Sequence, residues 1–206
     1  YTVFGTHYGL ATLVPTTIAF FCAYYFDNKS ILSLAITGLA AYIGLSVSPQ
    51  SLLNNSFYET TTLSYSAIIL GIALVIWSIC SAKINLKKHF NLIYLTFALH
   101  LISISCIKNL FNSYWVLFAL LLLASSYYFF TTSHQIKSAS LFIFTIIYAY
   151  VGINICLFKL VEFINFDSDL LVPFFFLVPF YFIGSIILFI LLVKKFNKDK
   201  TNDTIR

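Results

Sequence analysis

The sequence predicts an all-α fold: a polytopic transmembrane helical bundle of about seven crossings, with its N-terminus outside and its C-terminus cytoplasmic. Three observations predict it. Charge is scarce, apolar runs of membrane-spanning length recur from end to end, and the lysines fall on one side of the path those runs trace. Of the 206 residues, 60% are hydrophobic and 9% are charged. An ordinary soluble domain is about a quarter charged. So few polar groups cannot cover a water-facing surface, so most of the surface has to face lipid.

A helix rises about 1.5 Å per residue, so a hydrocarbon core of about 30 Å takes roughly 20 residues to cross. Seven runs meet or approach that length: residues 8–26, 31–47, 62–82, 90–107, 114–132, 139–158 and 172–193. The first contains Pro15, whose missing N–H leaves the carbonyl of Ala11 without its usual partner; Thr16 and Thr17 stand nearby as candidate donors. The second repeats small residues at four-residue spacing, Ser33, Thr37 and Ala41, then Ala40, Gly44 and Ser48. Such spacing lets backbones approach and predicts a central helix or a dimer contact. The third and fifth read "IILGIALVIWSIC" and "VLFALLLLASSYYFF". They lack the alternation of membrane strands, which favours helices. The fourth holds His100 and the sixth Asn154. The seventh opens with "LVPFFFLVPFYF". Pro173 belongs in its first turn, where a missing N–H costs nothing, whereas Pro179 frees the carbonyl of Phe175 and should kink the rod.

All the acids, Asp27, Glu59, Glu162, Asp167, Asp169, Asp199 and Asp203, lie in connections or at the C-terminus. A carboxylate at mid-membrane costs several kcal/mol, so lipid demands this distribution. With seven crossings, Lys29, Lys83, Lys87, Lys88, Lys137, Lys194, Lys195, Lys198, Lys200 and Arg206 share one side, and only Lys108 and Lys159 lie on the other. Cations concentrate on the cytoplasmic side, which fixes the orientation. Residues 1–193 then form one transmembrane domain and residues 194–206 a basic cytoplasmic tail. With Tyr1 outward and no methionine in the chain, we expect the natural start, and at least one further helix, to precede Tyr1. Cys22, Cys80, Cys106 and Cys156 sit inside apolar runs without metal-like spacing and read as small apolar residues.

Several residues could carry function. His100 lies about ten residues into its run, hence near mid-bilayer. An ionisable group there is a candidate proton relay or ligand, although a neutral imidazole with one hydrogen bond also packs well. Asn154 is a candidate interhelical hydrogen-bonding group, with His100 within its reach in depth. Pro179 is either the hinge of a moving transporter helix or a static kink. Asp167 and Asp169, in "FDSD", could hold a divalent cation or mirror the acidic pair of glycosyl-transferring enzymes. A solvated loop with Asp169 capping the last helix is the simpler explanation of both. The basic stretches "KINLKKH" and "KKFNKDKTNDTIR" suit anionic headgroups or simple inside anchoring. No folded soluble module accompanies that charge, which argues against a nucleic-acid partner. No Gly-rich phosphate loop, GxSxG elbow or HExxH is present, so no catalytic, cofactor or metal residue is assigned.

The segment "HYGLATLVPTTIAFFCAYYFDNKSILSLAITGLAAYIGLSVSP", His7 to Pro49, resembles bacterial predicted membrane proteins grouped as domain of unknown function 2157, particularly those of the Bacteroidota. The "YYFDNKS" turn followed by "LSLAITGLAAYIGLSVSP" carries the resemblance, over roughly the first quarter of the chain. It implies a multi-pass protein of the bacterial inner (cytoplasmic) membrane, with an N-terminal cytoplasmic stretch and further helices. The family has no established activity, so no functional residue transfers. The expectation is a non-enzymatic integral membrane protein, a scaffold or accessory subunit, with membrane lipids and other membrane subunits as partners and no cofactor. The alternative is a transporter of a small or lipid-like substrate using His100 and the Pro179 kink. A membrane enzyme with outer-loop acids comes third.

Overall fold

In a computed structural model of the chain, the backbone is described for residues 8–47, 60–164 and 168–204. These residues form seven helices: α1 (Tyr8–Tyr25), α2 (Lys29–Val47), α3 (Thr60–Lys83), α4 (Asn91–Asn109), α5 (Trp115–Ile136), α6 (Ala139–Ile164) and α7 (Ser168–Thr204). A short 3₁₀ turn, Lys88–Phe90, leads into α4. Five segments are long and apolar enough to cross a membrane: Thr62–Lys83, Lys88–Asn109, Trp115–Ile136, Ala139–Glu162 and Phe176–Lys198. Ala11–Tyr25 and Lys29–Gly44 are apolar but shorter.

The last helix departs from the sequence expectation at both ends. It begins at Ser168 and continues through the basic stretch to Thr204. Pro173 therefore falls in the second turn rather than the first, and Asp169 lies within the first turn rather than at the cap. The polar start favours this register, because carboxylates are stabilised near a helix N-terminus.

The described core is mainly apolar, but small polar groups share it and many large apolar side chains face outward. Thr16, Ser64, Ser78, Ser103, Ser105, Asn109, Ser133 and Thr145 are buried, while Phe21, Ile69, Leu117, Leu123, Phe158 and Phe180 are exposed. Water disfavours so many large apolar groups on a surface. Hydrocarbon permits them, because large apolar side chains lose nothing by facing lipid.

Three helix ends share one solution to the loss of backbone partners. Asp27, Asn85 and Lys137 each adopt a left-handed φ, of 55, 55 and 56° respectively. In each case the next amide bonds back to a carbonyl five residues earlier: Asn28 to Ala23 at 3.1 Å, Leu86 to Ser81 at 2.9 Å and Ser138 to Ser133 at 3.1 Å. This is the Schellman closure, usually made with glycine. The turns then start the next helix at once. Asn28 Oδ1 accepts from the amides of Ser30 and Ile31, and Ser138 Oγ accepts from that of Leu141. Both are N-caps.

The chain divides into two compact units, Tyr1–Trp115 and Val116–Arg206. In the first, α2 touches α1, α3 and α4, as a central helix should. Thr37 and Ala41 of the Ser33–Thr37–Ala41 row line a small hollow against α1. Beside them stands Gly38, where Thr16 Oγ1 occupies the space a Cβ would need. Ser33 and Thr37 instead return their hydroxyls to the carbonyls of Lys29 and Ser33. Between α3 and α4, Gly71 lies so close that a Cβ would stand 2.6 Å from Ile102 Cγ1 and 3.3 Å from the Ala98 carbonyl. In the second unit, Gly152 of α6 receives Leu122 of α5. Gly184 of α7 faces open space.

Thr16 and Thr17 do not relieve the carbonyl of Ala11 beside Pro15. Their hydroxyls donate to Thr12 and Leu13, one turn back, at 2.6 and 2.9 Å. Four-residue back-bonding is the nearest option for a hydroxyl on a helix.

Gly71→Val should therefore lower stability by about 1–3 kcal/mol through overpacking against α4. Gly184→Ala should stay within about 0.5 kcal/mol of the parent. Thermal unfolding of both variants in the same detergent checks the pair; equal losses would refute the packing described.

Candidate functional site

Two places in the structure gather chemistry, one in each unit. The first is a polar clamp where two turns meet. The left-handed residue that ends α1 is Asp27, and its carboxylate reaches the connection between α3 and α4. Lys87 Nζ and His89 Nε2 both approach the same oxygen, Asp27 Oδ1, at 2.9 Å. Lys87 itself sits at φ 46°, which turns its chain toward Asp27. The hydrogen bond from Lys87, with His89 beside it, holds the Asp27 carboxyl below its ordinary value of 3.8.

Beneath the clamp lies a ring-lined network. Tyr24 and Tyr94 share a hydrogen bond at 2.8 Å between their hydroxyls, and Trp77 Nε1 donates to Tyr24 at 3.1 Å. Phe90 is fully buried and meets the Tyr24 ring edge-on at 5.4 Å. Ser78 donates to Asn91 Oδ1 at 3.2 Å, and Ser81 donates to the Leu86 carbonyl. The three partners are a third to a half exposed. Solvent screening keeps such pairs individually weak. The clamp therefore fixes how the α1–α2 turn meets the α3–α4 connection rather than anchoring the fold.

The second place is an apolar cleft of about 560 Å³ between α6 and α7, with Phe130 of α5 at its edge. Two contacts join α6 to α7 along it. At the lysine-bearing end, Phe142 and Phe196 stack with centroids 4.2 Å apart, and His134 packs edge-on against both rings. Deeper in, Ser185 Oγ donates to Tyr150 Oη at 3.1 Å. The walls between are Ile146, Ile147 and Ala149 on one side and Leu188, Phe189 and Leu192 on the other. A smaller hollow of about 320 Å³ lies between α1 and α2 beside Pro15.

The residues singled out in sequence fall elsewhere or lie at the edges of these sites. His100 is half-buried on α4 and lines neither hollow. Ser103, one turn further on, is fully buried, and its hydroxyl has no hydrogen-bond partner among the described residues. Asn154 Nδ2 donates at 2.7 Å to the carbonyl of Tyr150 in its own helix, so this bond does not cross helices. Pro179 is exposed on α7, which continues through it. Asp167 and Glu59 lie outside the described residues, as does the side chain of Asp169. Glu162 pairs with Lys159 at 2.9 Å. Among the described residues, no three His, Cys, Asp or Glu side chains gather as a metal site.

Neither the clamp nor the cleft follows from a motif. The residues of the clamp are some 60 positions apart in sequence, and the only signal was that Asp27 is an acid on a side otherwise rich in lysine. The cleft leaves no sequence signal, because it depends on how far two helices stand apart. No family model matches the chain, and neither does any curated protein or solved structure.

The clamp predicts a pH dependence of definite sign. The folded carboxyl of Asp27 is the stronger acid, so its contribution is complete above the ordinary value of 3.8 and is lost as pH falls through the lowered one. Asp27→Asn should melt below the parent at pH 7, and the gap should close on acidification below 3.8. A gap that persists at low pH, or no gap at neutral pH, would exclude the clamp.

Proposed function

We propose that this chain is a seven-crossing integral membrane protein of the bacterial cytoplasmic membrane, with Tyr1 outside and the lysine-rich turns inside, acting as a non-enzymatic scaffold or accessory subunit. The observation that carries this is the surface of α7. Phe176, Leu177, Phe180, Ile183, Ile186, Ile187, Ile190 and Leu191 are all exposed over about half of its circumference, and the exposed Tyr181, Phe182 and Leu188 extend that apolar surface around most of the rest. A helix apolar all round belongs in lipid or against other helices. The lysine segregation supports the orientation, and the resemblance of His7–Pro49 to bacterial membrane proteins supports the compartment. Membrane lipids and other membrane subunits are the partners this assigns.

A transporter of a lipid-like substrate is the second reading. The α6–α7 cleft favours it, since Ser185 lies fewer than two turns beyond Pro179.

Single cysteines in a cysteine-free background test the topology. Asn112→Cys should react with an impermeant maleimide on intact cells, and Asn28→Cys only after permeabilisation. Equal labelling of both sites would overturn the arrangement. For the scaffold role, a photo-crosslinking residue at position 183 should capture one reproducible membrane partner, lost in Ile187→Trp. Crosslinks to lipid alone would leave the transporter reading in place of it.

A further inference from the structure

We propose that the cleft between α6 and α7 holds one acyl chain of an anionic phospholipid, with its headgroup at the lysine-bearing end of the same two helices. The inference rests on the chain lying in a bilayer. The cleft is about 560 Å³, within the roughly 300–1,000 Å³ typical of small-molecule sites. Its walls are aliphatic and aromatic, which suits hydrocarbon, and its single polar group is the Ser185–Tyr150 pair, already satisfied internally.

Charge identifies the occupant. The Phe142–Phe196 stack brings the start of α6 and the end of α7 together. Lys194, Lys195 and Lys198 follow within two turns of Leu192, and Lys137 ends the turn before α6; all four are exposed. The wall positions Ser185, Leu188 and Leu192 repeat at helical spacing, and Lys195 continues that row. A chain lying along the row would therefore carry its phosphate to a cluster of ammonium groups at the membrane boundary. Lysines near an anionic surface are each worth about five-fold in affinity. A zwitterionic lipid would fill the cleft equally but gain little at the headgroup.

Native mass spectrometry of the purified full chain in detergent tests this, with phosphatidylglycerol and phosphatidylcholine carrying identical acyl chains. Phosphatidylglycerol should be retained preferentially. Replacing Lys194, Lys195 and Lys198 together by glutamine should reduce that preference by roughly five-fold or more. Ala149→Trp should fill the cleft and remove the tight adduct of both lipids, whereas Leu117→Trp, on an exposed position of α5, should not. Should Ala149→Trp fail to fold, a phosphatidylglycerol bearing a diazirine in its acyl chain should crosslink the parent within residues 146–153 and 185–192. Equal retention of the two lipids, or crosslinks confined to α1–α4, would overturn the assignment. A chain that stays monodisperse without detergent would instead overturn the membrane proposal beneath it.

Discussion

Hydrocarbon offers no hydrogen bonds, so every backbone amide and carbonyl has to find its partner within the chain. Most features of this protein follow from that constraint. It selects helices, and it makes their ends the critical points. The left-handed closures at Asp27, Asn85 and Lys137 return stray amides to the last turn. Placing a non-glycine residue in that conformation has a cost, yet at these positions the side chain is long or polar and can face water. Asp27 and Lys87 turn this to use, since both left-handed residues aim a charge at the same point. The same constraint governs the hydroxyls. Thr16, Thr17, Thr37, Thr96 and Thr145 each return to the carbonyl four residues earlier. These threonines therefore read as self-satisfied groups, whereas the buried Ser78 bonds across to Asn91 of the next helix.

What holds helices together in lipid is close packing of backbones. Gly38, Gly71 and Gly152 each admit a side chain from the antiparallel neighbour in a hairpin. Gly184 of α7 shows the contrast: a Cβ there would meet nothing within 4 Å. Polar contacts then add specificity at the turn side of the first unit. The Tyr24–Tyr94–Trp77 network and the Asp27 clamp tie residues from both hairpins.

The helices were legible because each one needs a long apolar run, and the runs fall within a few residues of the observed elements from α1 to α5. The ends of α6 and α7 were less legible. Polar residues beyond the apolar stretch, such as Lys194 to Lys198, can extend a helix into water without any hydrophobic signal. The partners of single polar groups were not legible at all. Asn154 and Thr16 chose their own helices because the nearest carbonyl is one turn away. The clamp joins residues whose proximity depends on the crossing of α1, α3 and α4, which periodicity does not encode. His100 stood out for its rarity in such a run, but rarity alone does not say where a residue packs.

The packing of α7 follows from the absence of a hydrophobic drive between helices in lipid. In water, an apolar cleft beside an apolar helix would collapse, since closing it removes surface from solvent. In a bilayer the surface is already out of water, and a lipid chain fills the gap as well as a side chain does. Only specific contacts then decide where α7 sits, and two of them are the Phe142–Phe196 stack and the Ser185–Tyr150 bond. Between these the helices are free to stand apart. An open cleft of this kind is thus a stable arrangement in hydrocarbon, and the lysines that end α7 give it a preference among the molecules that can occupy it.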